Sequence, residues 1–212
     1  MTNNTLELPL APSPAEDMHR PLADRMRPQS FEEVLGQEHL LGEGKPLTIA
    51  LASALFPSLI FWGPPGCGKT TMARLIADHV NAEFVTISAI SHATADLRKI
   101  FEQAAAHKGA GKQTVLLVDE IHRFNRSQQD LFLPYIEDGT IILVGATTEN
   151  PSFELNGALL SRCQVLTLNP LNHATLTALS HKAEAFMDKP LSITEEARDT
   201  LCALADGDAR YL

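Results

Sequence analysis

Cysteine is scarce in this chain, and Cys67, Cys163 and Cys202 are too scattered to form a C-x-x-C pair. That argues against a disulfide framework and a thiolate metal site, and it fits a reducing, cytoplasmic setting. Long apolar runs are missing as well. No stretch approaches the roughly 20 apolar residues of a membrane span, so no membrane association is expected. The N-terminus has no basic start followed by an apolar segment, so it does not read as a secretory signal. Positive charge is in deficit, with a formal net charge of −9. A broad, sequence-independent phosphate-binding surface is therefore unexpected. A local basic strip is not excluded, because net charge says nothing about distribution. No internal repeat is visible.

What is present is enough apolar material for a core. Hydrophobic residues make up 44% and charged residues 20% of 212 positions, which suits one substantial domain with a smaller appendage. Residues 1–20 are polar and carry Pro9, Pro12 and Pro14. They read as a flexible tail, either an inert extension or a partner-binding peptide. From residue 59 apolar runs alternate with helical patterns. The runs are LIFW (59–62), EFVTIS (83–88), TVLLVDE (114–120), TIILVGAT (140–147) and QVLTLN (164–169). Strands apolar on both faces, separated by helices, predict a parallel sheet covered on both sides. The segments after residue 69, over 93–107 and over 127–139 are expected to be helical. Beyond Pro170 two helical patterns follow with no strand between them. We therefore expect an α/β domain over 21–169 and the start of a helical domain over 170–212. The last residues, DARYL, read as the opening of a third helix, as in a fragment of something longer.

Residues 63–70 read Gly63, Pro64, Pro65, Gly66, Cys67, Gly68, Lys69, Thr70. This fits G-x-x-x-x-G-K-[ST] between a predicted strand and a predicted helix, the P-loop context. Polyphosphate needs many donors packed closely, and glycines let backbone N–H groups approach it. The following helix turns its free N–H groups and positive dipole end toward the anion. Lys69 is expected to supply an ammonium to the β- and γ-phosphates, and the Thr70 hydroxyl to ligate Mg²⁺. Thr71 is counted with the same nucleotide-contacting segment. Cys67 at the helix mouth is either a neutral filler or a thiol of lowered pKa.

Asp119 and Glu120 end the apolar run TVLLVDE, which carries them to the C-terminal edge of the sheet, where ligands bind in open α/β folds. Asp119 is expected to hold Mg²⁺ through water, and Glu120 to polarise the attacking water. Just beyond the next strand a polar residue would reach between Glu120 and the γ-phosphate. Thr148 is the choice, with Thr147 and Asn150 as alternatives.

The set GPPGCGKT, VLLVDEIHRF, GATTENPSFELN and ALLSRC resembles an AAA+ ATPase of the clamp-loader and branch-migration branch. DRMRPQSFEEVLGQEHLLGEG (24–44), DEIHRFNRSQQDLFLPYIEDG (119–139) and ADGDAR (205–210) narrow the resemblance to the replication-associated recombination protein A family. That resemblance implies a five-stranded parallel sheet in the order 5-1-4-3-2 with a partial helical lid. It implies ATP and Mg²⁺ as cofactors. Arg162 would be a finger entering the neighbouring subunit's site, where a cation stabilises charge on the transferring phosphoryl group. The alternative is a surface arginine in an intramolecular salt bridge. Arg210 would contact the γ-phosphate from the lid. Arg27, Pro28, Val34, Gly36 and Gln37 would surround adenine. His122, Arg123 and Arg126 would lie near DNA in a ring's channel, or else be solvated.

The function implied is a DNA-dependent ATPase in replication-fork maintenance and recombination. It would be a homo-oligomer in full-length form, cytoplasmic and nucleoid-associated if bacterial. Single-strand DNA-binding protein is a possible partner. The rivals are a clamp-loader-like subunit and a nucleotide-switched adaptor at the replisome. Slow turnover is expected of these residues alone.

Overall fold

The computed structural model describes residues 20–53 and 56–212. The tail expected over 1–20 lies outside the described residues, apart from Arg20. Among the described residues, the short α-helices α1 (Leu22–Arg25), α2 (Glu38–Leu41) and α3 (Pro46–Leu51) precede the sheet. Five strands follow: β1 (Ser58–Trp62), β2 (Glu83–Ser88), β3 (Thr114–Asp119), β4 (Ile142–Thr147) and β5 (Cys163–Thr167). All pairings are parallel, in the order β2-β3-β4-β1-β5. Read from the opposite edge this is the expected 5-1-4-3-2. Between strands lie α4 (Lys69–His79) and α5 (Thr94–Gly109), then the pairs α6 (Arg126–Asp130) and α7 (Leu133–Glu137), and α8 (Pro151–Glu154) and α9 (Gly157–Leu160).

Side chains alternate across the sheet because successive Cβ atoms point to opposite faces. Leu59, Phe61, Val115, Leu117, Val144 and Ala146 face α4, where Met72, Ala73 and Ile76 meet them. Ile60, Leu116, Val118 and Leu143 face the other layer, against Leu97, Phe101 and Ala104 of α5, with Phe132 and Leu159. The α5 spacing of four and then three residues keeps one stripe on the sheet. Both faces of β1, β3 and β4 are thus covered, which explains why those runs have no polar alternation. The edge strand β5 is half open, with Val165 exposed.

The helix expected over 127–139 is interrupted. Pro134 has no N–H to donate to Asp130, and the chain tightens to Leu131 N–H→Gln128 and Phe132 N–H→Gln129 before α7 begins. Past β5 the chain is helical, with α10 (His173–Met187) and α11 (Glu195–Ala205) enclosing a small core of Leu171, Leu176, Cys202 and Ala205. Residues 208–212 form a turn in which the Tyr211 and Leu212 N–H groups both donate to the Asp208 carbonyl.

Candidate active site

Strand register brings the site together. Phe61 of β1 lies beside Ala146 of β4, and Val118 of β3 beside Gly145. The C-terminal ends of β1, β3 and β4 therefore emerge at one edge, carrying the P-loop, the acid pair and the Thr147–Thr148 step. The Gly63 N–H donates to the Thr147 carbonyl (3.1 Å), joining two of these directly.

The loop over 63–70 needs its glycines. Gly66 (φ +67°) and Gly68 (φ +103°) occupy the left-handed region. A Cβ on Gly63 would lie 2.5 Å from the Leu168 carbonyl oxygen. The loop then enters α4 through Gly68, so the first N–H groups of the helix open onto the cavity. Lys69 is almost buried, and its Nζ donates to the Gly63 and Pro64 carbonyls at 2.7 Å each. Those two bonds hold the ammonium against the loop.

A cavity of about 780 Å³ lies between this edge and the lid. Pro65, Gly66, Cys67, Gly68, Lys69, Thr70 and Thr71 line its floor, Asp119, Glu120 and Thr148 one wall, and Arg210 the lid side. Arg27, Pro28 and Val34 also line it. Gly63 and Pro64 form the back of the loop, where their carbonyls serve Lys69. Gly36 and Gln37, expected at adenine, are not among the lining residues. Gln37 is buried, and its amide is turned to the rear of the P-loop, donating to the carbonyls of Cys67 (3.2 Å) and Asn169 (2.8 Å). Gly36 is packed under the lid, where a Cβ would lie 2.9 Å from Leu171. Arg27 bonds Asp24 (2.7 Å) and the Thr71 hydroxyl (3.2 Å), so it braces the first turn of α4. The Arg27 and Arg20 guanidiniums hold the Asp24 carboxyl below its usual range.

Of the three polar candidates after β4, Thr148 faces the cavity. Thr147 is fully buried and turned the other way, and Asn150 caps α8 by accepting from the Ser152 N–H. Glu120 has left-handed backbone angles (φ 54°, ψ 42°) just past β3, so the chain reverses there. His122, expected near DNA or in solvent, is instead folded inward. Its side chain is 5% exposed, with Nε2 3.3 Å from Glu120 Oε2 and Nδ1 2.8 Å from Thr147 Oγ1. Nothing in the D-E-I-H spelling signals that inward turn. Arg123 and Arg126 are exposed.

Arg162 lies outside its own chain's cavity, beyond α9. Its Nε donates to Glu137 Oε1 (2.6 Å) and its Nη1 to the Ala158 carbonyl (2.9 Å). The intramolecular ion pair, one of the two readings open from the sequence, is present. Cys67 is buried, and burial pushes its thiol pKa up despite the nearby Lys69 charge, which corrects the low-pKa alternative.

The residues fit a triphosphate with magnesium. The cradle is glycine-built, the cavity suits a nucleotide in size, and Thr70 and Asp119 contribute hard oxygen donors to it. Among the described residues no group of three His, Cys, Asp or Glu side chains could hold a metal ion.

Comparison with known proteins agrees. Residues 59–171 match the ATPase family associated with various cellular activities (AAA). Replication-associated recombination protein A of Escherichia coli (strain K12) is 47% identical over 201 residues, covering 92% of this chain and 45% of that protein. ATPase WRNIP1 of Dictyostelium discoideum is 46% identical, covering 90% and 22%. Among solved structures, the Thermotoga maritima RuvB Holliday junction branch migration motor superimposes with a TM-score of 0.70 at 29% identity, covering 87% of this chain and 62% of that one. The chain thus spans less than half the length of the curated relatives it matches. With a P-loop, a strand-end acid pair and this sheet order in one chain, the protein belongs to the AAA family of ATPases.

Proposed function

We propose that this chain binds ATP with Mg²⁺ between the P-loop and the lid and hydrolyses it. It would serve as the nucleotide module of a DNA-dependent ATPase in replication-fork maintenance and recombination. The observation that carries the reading is the convergence of Lys69, Thr70, Asp119, Glu120 and Thr148 on one cavity. The DNA role rests on the names of the relatives, which speak of replication-associated recombination and Holliday junction branch migration; homo-oligomeric assembly and a single-strand DNA-binding protein as partner rest on the family resemblance alone.

The N–H groups of the P-loop and the α4 N-terminus would receive the phosphates, and Lys69 would neutralise part of their charge. Thr70, and Asp119 through water, would hold the magnesium, which when bound offsets charge on the β- and γ-oxygens. Glu120 would orient a water and accept its proton as the water oxygen bonds the γ-phosphorus and the bond to ADP breaks. Thr148 would fix that water's other side. Arg210 would meet the γ-phosphate from the lid. Arg162, pointing away from its own cavity, suits service to a neighbouring subunit. Slow turnover by an isolated chain follows, because its own site then lacks that cation.

Equilibrium binding of ATP–Mg²⁺ and turnover, with and without DNA, test the reading. Lys69→Ala is expected to abolish binding, and Glu120→Gln to keep binding while removing hydrolysis. Intact binding in Lys69→Ala would overturn the site. A cellular role that survives Glu120→Gln would favour the nucleotide-switched adaptor, and turnover dependent on a sliding clamp would favour the clamp-loader reading.

A further inference from the structure

We infer that His122 is a positioning residue for hydrolysis, tying the Glu120 carboxylate to the Thr147–Glu149 turn that carries Thr148. The inference rests on the roles given above to Glu120 and Thr148.

The placement follows from the backbone. Glu120 sits in the left-handed region, which non-glycine residues rarely adopt. The chain reverses there into a short turn over Ile121–Arg123, closed by Arg123 N–H on the Glu120 carbonyl (2.8 Å). Ile121, wholly buried, and Phe124, nearly so, pin the turn to the core. His122 between them is therefore directed back at both Glu120 and the end of β4. Its ring is nearly as buried as they are, and each nitrogen has a partner.

Proton counting gives this contact a consequence. Nε2 and Glu120 Oε2 lie 3.3 Å apart, and because the carboxylate only accepts, a proton on Nε2 favours that approach. In the tautomer with its single proton there, Nδ1 accepts and the Thr147 hydroxyl donates to it. The same hydroxyl is 3.2 Å from the Glu149 carbonyl and accepts from the Glu149 N–H at 3.0 Å. One hydroxyl proton cannot serve both Nδ1 and the Glu149 carbonyl. When Glu120 holds Nε2–H, the Thr147 proton turns to the ring and the Glu149 carbonyl is released. When Glu120 swings toward a water in the cavity, the ring loses that partner and the Thr147 hydroxyl is free to rotate back to the Glu149 carbonyl. The position of Glu120 is thereby read out at the backbone on either side of Thr148. Water-orienting base and γ-phosphate probe would move as a unit, a two-state element of the kind that coupling requires.

The test uses the complete protein, with single-turnover hydrolysis and ATP–Mg²⁺ affinity measured separately. His122→Ala is expected to slow hydrolysis about 100-fold with affinity changed less than about threefold. Thr147→Val, which keeps the shape and removes the hydroxyl, is expected to slow it about tenfold. The double variant should be no slower than His122→Ala, because both break one link. His122→Gln, which keeps a donor toward Glu120, should recover part of the rate. If His122→Ala does not fold, Thr147→Val and His122→Gln carry the comparison. Unchanged rates in the single variants, additive losses in the double variant, or affinity falling in step with rate would each overturn the inference. Failure of the unsubstituted protein to bind ATP would instead overturn the reading of the site itself.

Discussion

Gln37 and Asn169 are joined by two hydrogen bonds running in opposite senses, Gln37 Nε2 to the Asn169 carbonyl (2.8 Å) and Asn169 N–H to Gln37 Oε1 (3.1 Å). The same Nε2 reaches the Cys67 carbonyl at 3.2 Å. One buried amide therefore clamps the P-loop to the segment that leads from β5 into the lid. Gln37→Leu would leave the Cys67 carbonyl without its partner in a buried place, and the Asn169 N–H and carbonyl without theirs in a part-buried one. A destabilisation of about 1–3 kcal/mol is expected, the cost of one buried orphaned group. Denaturant unfolding measures it, and ATP affinity should weaken too because the loop loses its rear support. Unfolding within about 0.5 kcal/mol of the unsubstituted protein would mean the clamp contributes nothing.

Gly66 and Asp208 are in close approach across the lid boundary. A Cβ on Gly66 would sit 1.8 Å from Asp208 Oδ1, and the residue has φ +67°. Gly66→Ala therefore meets two obstacles, a clash and a left-handed backbone. The backbone conformation alone costs about 1–2 kcal/mol. Adding Asp208→Ala should return the side-chain part of the clash and leave the backbone part, since the Asp208 Cα would still lie 2.7 Å from the new Cβ. Thermal melts of the two single variants and the double variant separate these contributions. A double variant no more stable than Gly66→Ala would show that the lid moves aside freely.

Arg162 is expected to act on a neighbour's site. Arg162→Ala should bind ATP as tightly as the unsubstituted protein and lose about 10³-fold or more in assembled turnover. Mixing it with Lys69→Ala should restore some activity, since some interfaces then pair an intact site with an intact arginine. Glu137→Gln, which releases the arginine from its ion pair, should leave turnover unchanged or raise it. Mixed samples as inactive as their parents would rule out action in trans.

The lid has a pH dependence of definite sign. The Leu191 N–H (2.8 Å) and the Arg198 guanidinium (3.1 Å) hold the Glu184 carboxyl below the ordinary glutamate value of 4.5. A carboxyl whose folded pKa is depressed stabilises the fold fully above its unfolded value. That contribution is lost as pH falls through the lowered folded value. Melting temperature should therefore fall on acidification below about pH 4.5, and Glu184→Gln should flatten that part of the curve. An unchanged slope in the variant would remove Glu184 from the account.

The alternation of apolar runs with helical patterns was enough to read the parallel sheet, because strands covered on both faces have no polar positions to interrupt them. The positions of Lys69, Thr70 and Asp119 were legible for a related reason, since the P-loop spacing runs on from the end of β1 to Lys69 and Asp119 ends β3. Other residues were not. Gln37 read as part of the adenine surround, yet its amide is turned to the loop behind. His122 read as a pore or solvent residue, yet the left-handed turn at Glu120 folds it inward. The helix over 127–139 read as continuous, and Pro134 divides it.

Local pattern and spacing set backbone conformation within a few residues, and that was enough to read the P-loop, the strand-end acids and the layered α/β class. Which of Thr147 and Thr148 faces the cavity, what Gln37 holds, and the pairing of Glu137 with Arg162 emerged with the fold. Those depend on strand register and on the angle at which distant segments meet, and no local spacing encodes either.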